Sequence, residues 1–237
     1  MRPFLSARWS YLSLFTFAVP PAVLEPRLPP GVALDTRDGQ AFVSVVGLDF
    51  EETRVLGVGW PGYRAFADVN FRFYARAGER RGVVFIREIV PHRLVSWLAR
   101  AVYGEPFTSA AVRSRVQEEG STVLVERAFE IDGRRNVLRV SAERAPFTPD
   151  PDSLEHFLKE RAWGFRGHGG DTEAFEVKHT AWECLPVRDF VFDLDWGSVY
   201  GPEWRFLAGV EPTSVALALG SEVSVFPRAP LERRNLP

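Results

Sequence analysis

The chain has 237 residues, a net charge of −2, and hydrophobic and charged fractions of 46% and 25%, ordinary values for one globular domain. That balance leaves no basic footprint for nucleic acid or an anionic membrane. A lone Cys184 excludes a disulfide framework or a cysteine zinc cluster within the chain, and it fits a reducing compartment.

Tyr11 to Val19 is an apolar run behind Arg2 and Arg8. It lacks a small-x-small cleavage pattern before Pro20-Pro21 and is too short to span a bilayer. The alternation of Leu12, Leu14, Thr16 and Ala18 predicts a first strand instead, and the chain reads as soluble and cytoplasmic. Pro20 to Leu24 is a short helix start, and Leu28 to Val32 a proline-stiffened turn. Asp38-Gly39 marks a hairpin turn before a strand from Ala41 to Val46. Val55 to Arg64, with three glycines, a proline and the aromatics Trp60 and Tyr63, is a loop.

From Asp68 to Arg115 the pattern is richest. Phe71, Phe73 and Ala75 fall on one face of a strand and Arg72, Tyr74 and Arg76 on the other. A turn at Ala77 to Arg80 leads to a strand from Val83 to Ile89. Leu94, Trp97, Leu98 and Ala101 then give a helix one apolar face, ended by Gly104 and Pro106, with a third strand beyond. Thr122 to Ile131 and Asn136 to Ala142 predict a hairpin about Asp132-Gly133, with a bulge where Val123, Val125 and Ala128-Phe129 break alternation. Pro151 to Arg161 reads as a surface helix capped by Asp152 or Ser153, with the stripe Leu154, Phe157, Leu158. Gly164 to Gly170 is a flexible loop and Ala174 to Cys184 a strand. Phe190, Phe192 and Leu194 alternate in the next segment. Val215 to Val225 predicts a hairpin about Gly220-Ser221, and 228–237 a loose tail.

The segment Asn70-Phe-Arg-Phe-Tyr74, the run Ala99 to Ala110 (ARAVYGEPFTSA), His179-Thr-Ala-Trp182 and the strands of Pro212 to Pro227 together resemble the YqjF-like family of the acetoacetate decarboxylase-like superfamily. The likeness covers the chain from Trp9 to about Pro230. It implies a mainly β (α+β) fold: one cone-like, mostly antiparallel β-barrel domain over 1–237, with a few peripheral helices and a small-molecule cavity inside. In the decarboxylases the segment matching Tyr103 to Pro106 leads into a Schiff-base lysine. Here Phe107 stands at that place and Thr108 at its neighbour, so imine chemistry loses its amine. Of the 29 basic residues only Lys159 and Lys178 are lysines, on a surface helix and a distant strand.

What remains is a set of arginines. Arg72, Tyr74 and Arg87 lie on paired strands, Arg100 and Tyr103 end the helix, and Glu105 and Arg113 follow. An interior arginine suits a small carboxylate or phosphate, because its planar fork meets two oxygens at once. The alternative is that these arginines are exposed or paired with Glu88, Glu105 and Glu126. Glu105 is the candidate general base. Asp68 lies near the place where the decarboxylases carry an active-site glutamate. Of the four histidines, His179 gains weight from its place in the H-x-x-W motif; no zinc spacing occurs, and no cofactor or metal is implied. Two functions follow from these residues: a cavity for a small anionic or polar molecule with acid–base chemistry on it, or a non-catalytic binding or sensor protein. Imine formation through Lys178 is a third. Open strand edges and the relatives suggest a homo-oligomer.

Overall fold

The computed structural model describes residues 1–91, 107–168 and 170–231. The helix expected between Pro91 and Gly104 therefore lies outside the described residues, as do Arg100, Tyr103 and Glu105.

The strands are β1 (Leu5–Val19), β2 (Ala33–Leu34), β3 (Ala41–Val55), β4 (Phe66–Ala77), β5 (Arg80–Val90), β6 (Phe107–Ser109), β7 (Arg113–Glu119), β8 (Thr122–Ile131), β9 (Arg134–Glu143), β10 (Trp163–His168), β11 (Asp171–His179), β12 (Cys184–Leu185), β13 (Val187–Asp193), β14 (Ser214–Val225) and β15 (Ala229–Pro230). Short helices are α1 (Pro21–Leu24), α2 (Leu154–Lys159) and α3 (Trp196–Tyr200). The fold is mainly β, as the alternating patterns predict. No helix among the described residues is long and apolar enough to cross a membrane.

The larger sheet runs β14-β1-β3-β4-β5-β10-β11, and β11 pairs again with β14, so the hydrogen-bonded path returns to its start. All of these pairings are antiparallel except β5 with β10, which meet through Trp163↔Gly82 and Gly164↔Val83. Glycine is required at this seam. A Cβ on Gly82 would sit 2.3 Å from the Trp163 carbonyl oxygen, and one on Gly164 would sit 2.2 Å from the Phe175 ring.

The ring of strands has two apolar faces. Inside lie Leu12, Leu14, Phe42, Val46, Tyr74 and Phe175, joined by Phe157 and Leu158 from α2. Outside, Phe15, Phe17, Val43, Val45, Phe71 and Phe73 meet a second sheet of order β13-β9-β8-β7 and the helix α3. Phe15 lies 5.1 Å from Phe192, and Phe71 stacks on Tyr200 at 4.4 Å. A fully buried phenylalanine stabilises by about 1.5–3 kcal/mol, so this aromatic layer binds the second sheet firmly to the barrel.

Several local expectations change. The β8–β9 register runs unbroken from Thr122↔Glu143 to Ile131↔Arg134, so the predicted bulge does not occur. Val123, Val125, Arg127 and Phe129 form one regular inward face, and a buried arginine had masked it. The β1–β3 pairing is irregular instead, between Ser6 and Arg8 and between Ser10 and Ser13, and the second shift opens the backbone near Tyr11. Arg127 reaches that opening, donating to Ser13 Oγ at 3.1 Å, the Tyr11 carbonyl at 2.8 Å and Asp49 at 3.0 Å. It passes over Gly47, where a Cβ would lie 2.8 Å from its Cδ.

Gly164 to Gly170 is not a flexible loop: residues through His168 form β10, paired with β11. Val215 to Val225 is not a hairpin either. It is one strand lying along β1 from Leu5↔Val225 to Phe15↔Val215, and Gly220 takes φ +81 opposite the β1 irregularity. The turns at Asp38-Gly39 and Asp132-Gly133 appear with positive φ at both residues, as their composition requires.

Candidate functional site

Even-numbered residues of β4 point into the barrel, which places Asp68, Asn70, Arg72 and Tyr74 in one interior row. Beside Arg72 lies a cavity of ≈ 140 Å³. Trp9, Phe50, Phe85, Trp163, Phe175 and Trp182 give it aromatic walls, and Arg72, Glu88, Lys159 and Arg161 give it charge. A larger surface groove of ≈ 610 Å³ lies against β13 and α3, but its Arg134 is already paired with Asp193 and Asp195. The barrel cavity is the candidate site because it holds buried cationic groups with bonding capacity to spare.

Arg72 is only 7% exposed, and its Nε and Nη2 have no partner among the described residues. Those two donors share one edge of the guanidinium plane, the edge that matches the two oxygens of a carboxylate. Arg161 is similarly buried, and its Nε and Nη2 are also unpartnered. Its Nη1 is tied to Asp35, whose carboxylate also accepts from Arg81 at 2.8 and 3.3 Å. The Arg161 guanidinium lies over the Phe157 ring at 4.1 Å and the Tyr74 ring at 5.0 Å. Burial pushes it down to about 10 while Asp35 opposes that shift, so it stays charged at neutral pH.

Lys159 corrects the surface-helix expectation. The helix is only six residues long, capped by Ser153 accepting from the His156 amide at 3.1 Å, and Phe157, Leu158 and Lys159 are all buried at its end. Three successive residues are covered there, where a surface helix would cover one face. The Lys159 ammonium pairs with Glu160, which also accepts from the Trp182 amide at 3.2 Å. Lys178, by contrast, is 61% exposed beside Glu176 at 3.6 Å, so imine chemistry through it has no cavity to work in.

The other expected residues scatter. Tyr74 is buried in a hydrogen-bonded chain, its hydroxyl 2.6 Å from Ser44 Oγ, which lies 2.7 Å from Thr16 Oγ1. Arg87 donates to the Val199 carbonyl on the outer side of the sheet. Arg113 stands exposed on β7. His179 stacks on Trp182 at 4.1 Å with ring planes 20° apart, behind the cavity wall that Trp182 forms. Trp182 in turn donates to Ser221 Oγ at 2.9 Å. The H-x-x-W pair thus braces the cavity from outside. Lys159 and Arg161 carried one signal in the sequence: two cations directly after the apolar pair Phe157-Leu158, on the way into a tryptophan-led strand.

Asp68 is buried, with its carboxyl pushed up to about 7 by that burial. The Asn70 amide donates to it at 2.8 Å, and Arg72 and Arg127 partly offset the shift. Asp68 Oδ1 and Asn70 Oδ1 have no partner among the described residues.

Solved structures share this architecture. The enduracididine biosynthesis enzyme MppR superposes with a TM-score of 0.68 at 14% identity, over 98% of this chain and 89% of its own. An acetoacetate decarboxylase-like enzyme from Sphingomonas wittichii RW1 gives 0.66 at 12% identity, over 98% and 94%. The acetoacetate decarboxylase of Legionella pneumophila gives 0.64 at 10% identity, over 97% and 87%. At such identities the likeness establishes the fold and nothing finer. In sequence, the uncharacterized protein YqjF of Bacillus subtilis (strain 168) is 26% identical over 176 residues, 73% of this chain and 72% of its own length. A family model matches residues 6–222, and the chain belongs to DUF2071, a family of uncharacterized conserved proteins with an acetoacetate decarboxylase-like fold here.

Proposed function

We propose that the barrel interior binds a small organic anion of the carboxylate class. The observation that carries this reading is buried Arg72, whose Nε and Nη2 have no partner among the described residues and which lines an aromatic cavity together with Lys159 and Arg161. Leaving guanidinium donors buried and unpartnered costs stability, and a carboxylate would accept both at once. The aromatic walls would hold the ligand's apolar body. That MppR has been solved complexed with pyruvate supports a small carboxylate in such a barrel. The lone buried Cys184 fits action in a reducing cytoplasm.

A thermal-shift screen of small keto, hydroxy and simple carboxylic acids against neutral amide analogues tests the reading. A ligand at 100 times its Kd adds about 2.7 kcal/mol. For a chain of this size that corresponds to roughly 5–10 °C in Tm. The rise should appear with carboxylates only and vanish in Arg72→Gln. If no carboxylate shifts a well-folded protein, the reading fails.

Glu88 favours a second reading, in which the bound acid also undergoes acid–base chemistry. It is a carboxylate lining the same cavity, and Asn70↔Glu88 are cross-strand partners one step from Arg72. Turnover lost in Glu88→Gln with carboxylate binding retained would support an enzyme. Binding without turnover in the native protein would leave a sensor or carrier.

A further inference from the structure

Strand β7 reads Arg113-Ser114-Arg115-Val116-Gln117-Glu118-Glu119, and all seven residues are exposed. It is the last strand of the second sheet, and among the described residues it pairs only with β8, which leaves its other backbone edge without a strand partner there. One face is fixed to its own chain. Ser114 donates to Asp49 at 2.9 Å, and Glu118 accepts from the Tyr11 hydroxyl at 2.6 Å and pairs with Arg144 at 2.6 Å. On the other face Arg113, Arg115 and Glu119 form no ion pair among the described residues.

The order of charges along this edge is antisymmetric about its centre. Cations occupy one end, anions the other, and Val116, still 37% exposed, lies at the midpoint. An antiparallel copy laid against the edge about a two-fold axis through Val116 sets Arg113 opposite Glu119 twice and Arg115 opposite Gln117 twice. It also sets Ser114 opposite Glu118 twice and Val116 opposite its twin. No like charges face each other, whereas a shift that centres Arg115 sets two arginines together. A charged edge ordinarily deters pairing. This one matches an antiparallel copy of itself, and centring on Val116 is the register that pairs all seven residues of the strand.

We infer that β7 is a self-recognition edge through which two copies of this chain pair antiparallel about Val116, an isologous contact joining their second sheets into one. The cavity lies inside the barrel, so this contact stands apart from the carboxylate reading. One strand from each copy is a small interface, so association falls at roughly tens of micromolar.

Two measurements on the full chain test it. At a two-fold axis a residue meets its own copy, with Cα atoms about 4.5–5.5 Å apart, within disulfide reach. Val116→Cys should therefore form a disulfide-linked dimer on mild oxidation, much faster than Ser121→Cys at the adjoining hairpin; the native Cys184 is buried. In sedimentation velocity, mass should rise with concentration from 26.7 kDa toward twice that value. Arg113→Glu or Glu119→Arg alone should weaken the rise at least tenfold, and the two together should restore it. A particle that stays monomeric up to about 100 µM, several times that expected Kd, overturns the inference. So does equal crosslinking at the two positions, or a double reversal that fails to rescue while circular dichroism shows native fold.

Discussion

Replacing Arg72 by methionine removes a buried guanidinium edge with no hydrogen-bond partner among the described residues and substitutes an apolar chain of similar reach. A buried guanidinium whose donors lack partners costs desolvation that no hydrogen bond returns, and an apolar side chain does not carry that cost. The variant should thus melt at or above the native temperature and yet lose all response to carboxylates. A structural salt-bridge arginine would behave oppositely, with a lowered Tm. Asp68 offers a pH test. An unperturbed aspartate titrates near 3.8, whereas burial holds this one near 7. Below about pH 4 both states are protonated. Between there and 7 the folded protein keeps a proton that the unfolded chain has lost, so unfolding releases it. Stability therefore falls as pH rises through this window, and the loss is complete above it. Urea denaturation should show Asp68→Asn gaining on the native protein by a few kcal/mol at pH 8 and little at pH 4.

At the scale of elements, the seam between β5 and β10 rests on two glycines. In Gly82→Ala the added methyl would meet a backbone carbonyl, which cannot rotate aside, and Phe165 Cε2 at 2.8 Å. The expected loss is about 3 kcal/mol by equilibrium denaturation, the upper end of the overpacking range. A loss below 1 kcal/mol would mean that the strands slide apart easily. The same seam shows why β10 escapes a sequence reading. Gly164, Gly167, Gly169 and Gly170 look like a loop by composition, and only contact with Gly82 and Phe175 explains why a strand must be glycine-bearing there. In β8 the opposite holds: Val123, Val125, Arg127 and Phe129 alternate regularly, but an arginine at an inward position hides the pattern. Its partners lie 78 to 116 residues away at Asp49 and Tyr11, beyond any local window.

At the scale of the whole molecule, one curved sheet serves both apolar cores, so barrel and second sheet should unfold together. Tryptophan fluorescence reports both sides, through Trp9 and Trp182 within and Trp196 and Trp204 between the layers. Its denaturation curve should coincide with far-UV circular dichroism. Separated transitions would divide the chain into two folding units. The alternating strands, the Asp-Gly hairpins, the mainly β class and the family resemblance were determined by sequence alone, because periodicity and turn chemistry act over a few neighbouring residues. The cavity's cationic set was not. Arg72 belongs to a strand whose pattern shows its face, but Lys159 and Arg161 reach the same space only through the tertiary packing of the short α2 and the residues that follow it. Which side chains of the larger sheet line the cavity and which, like Arg87, turn to its outer side depends on closure of β11 onto β14. That pairing joins residues nearly fifty positions apart, and its energy comes from burying both sheet faces at once.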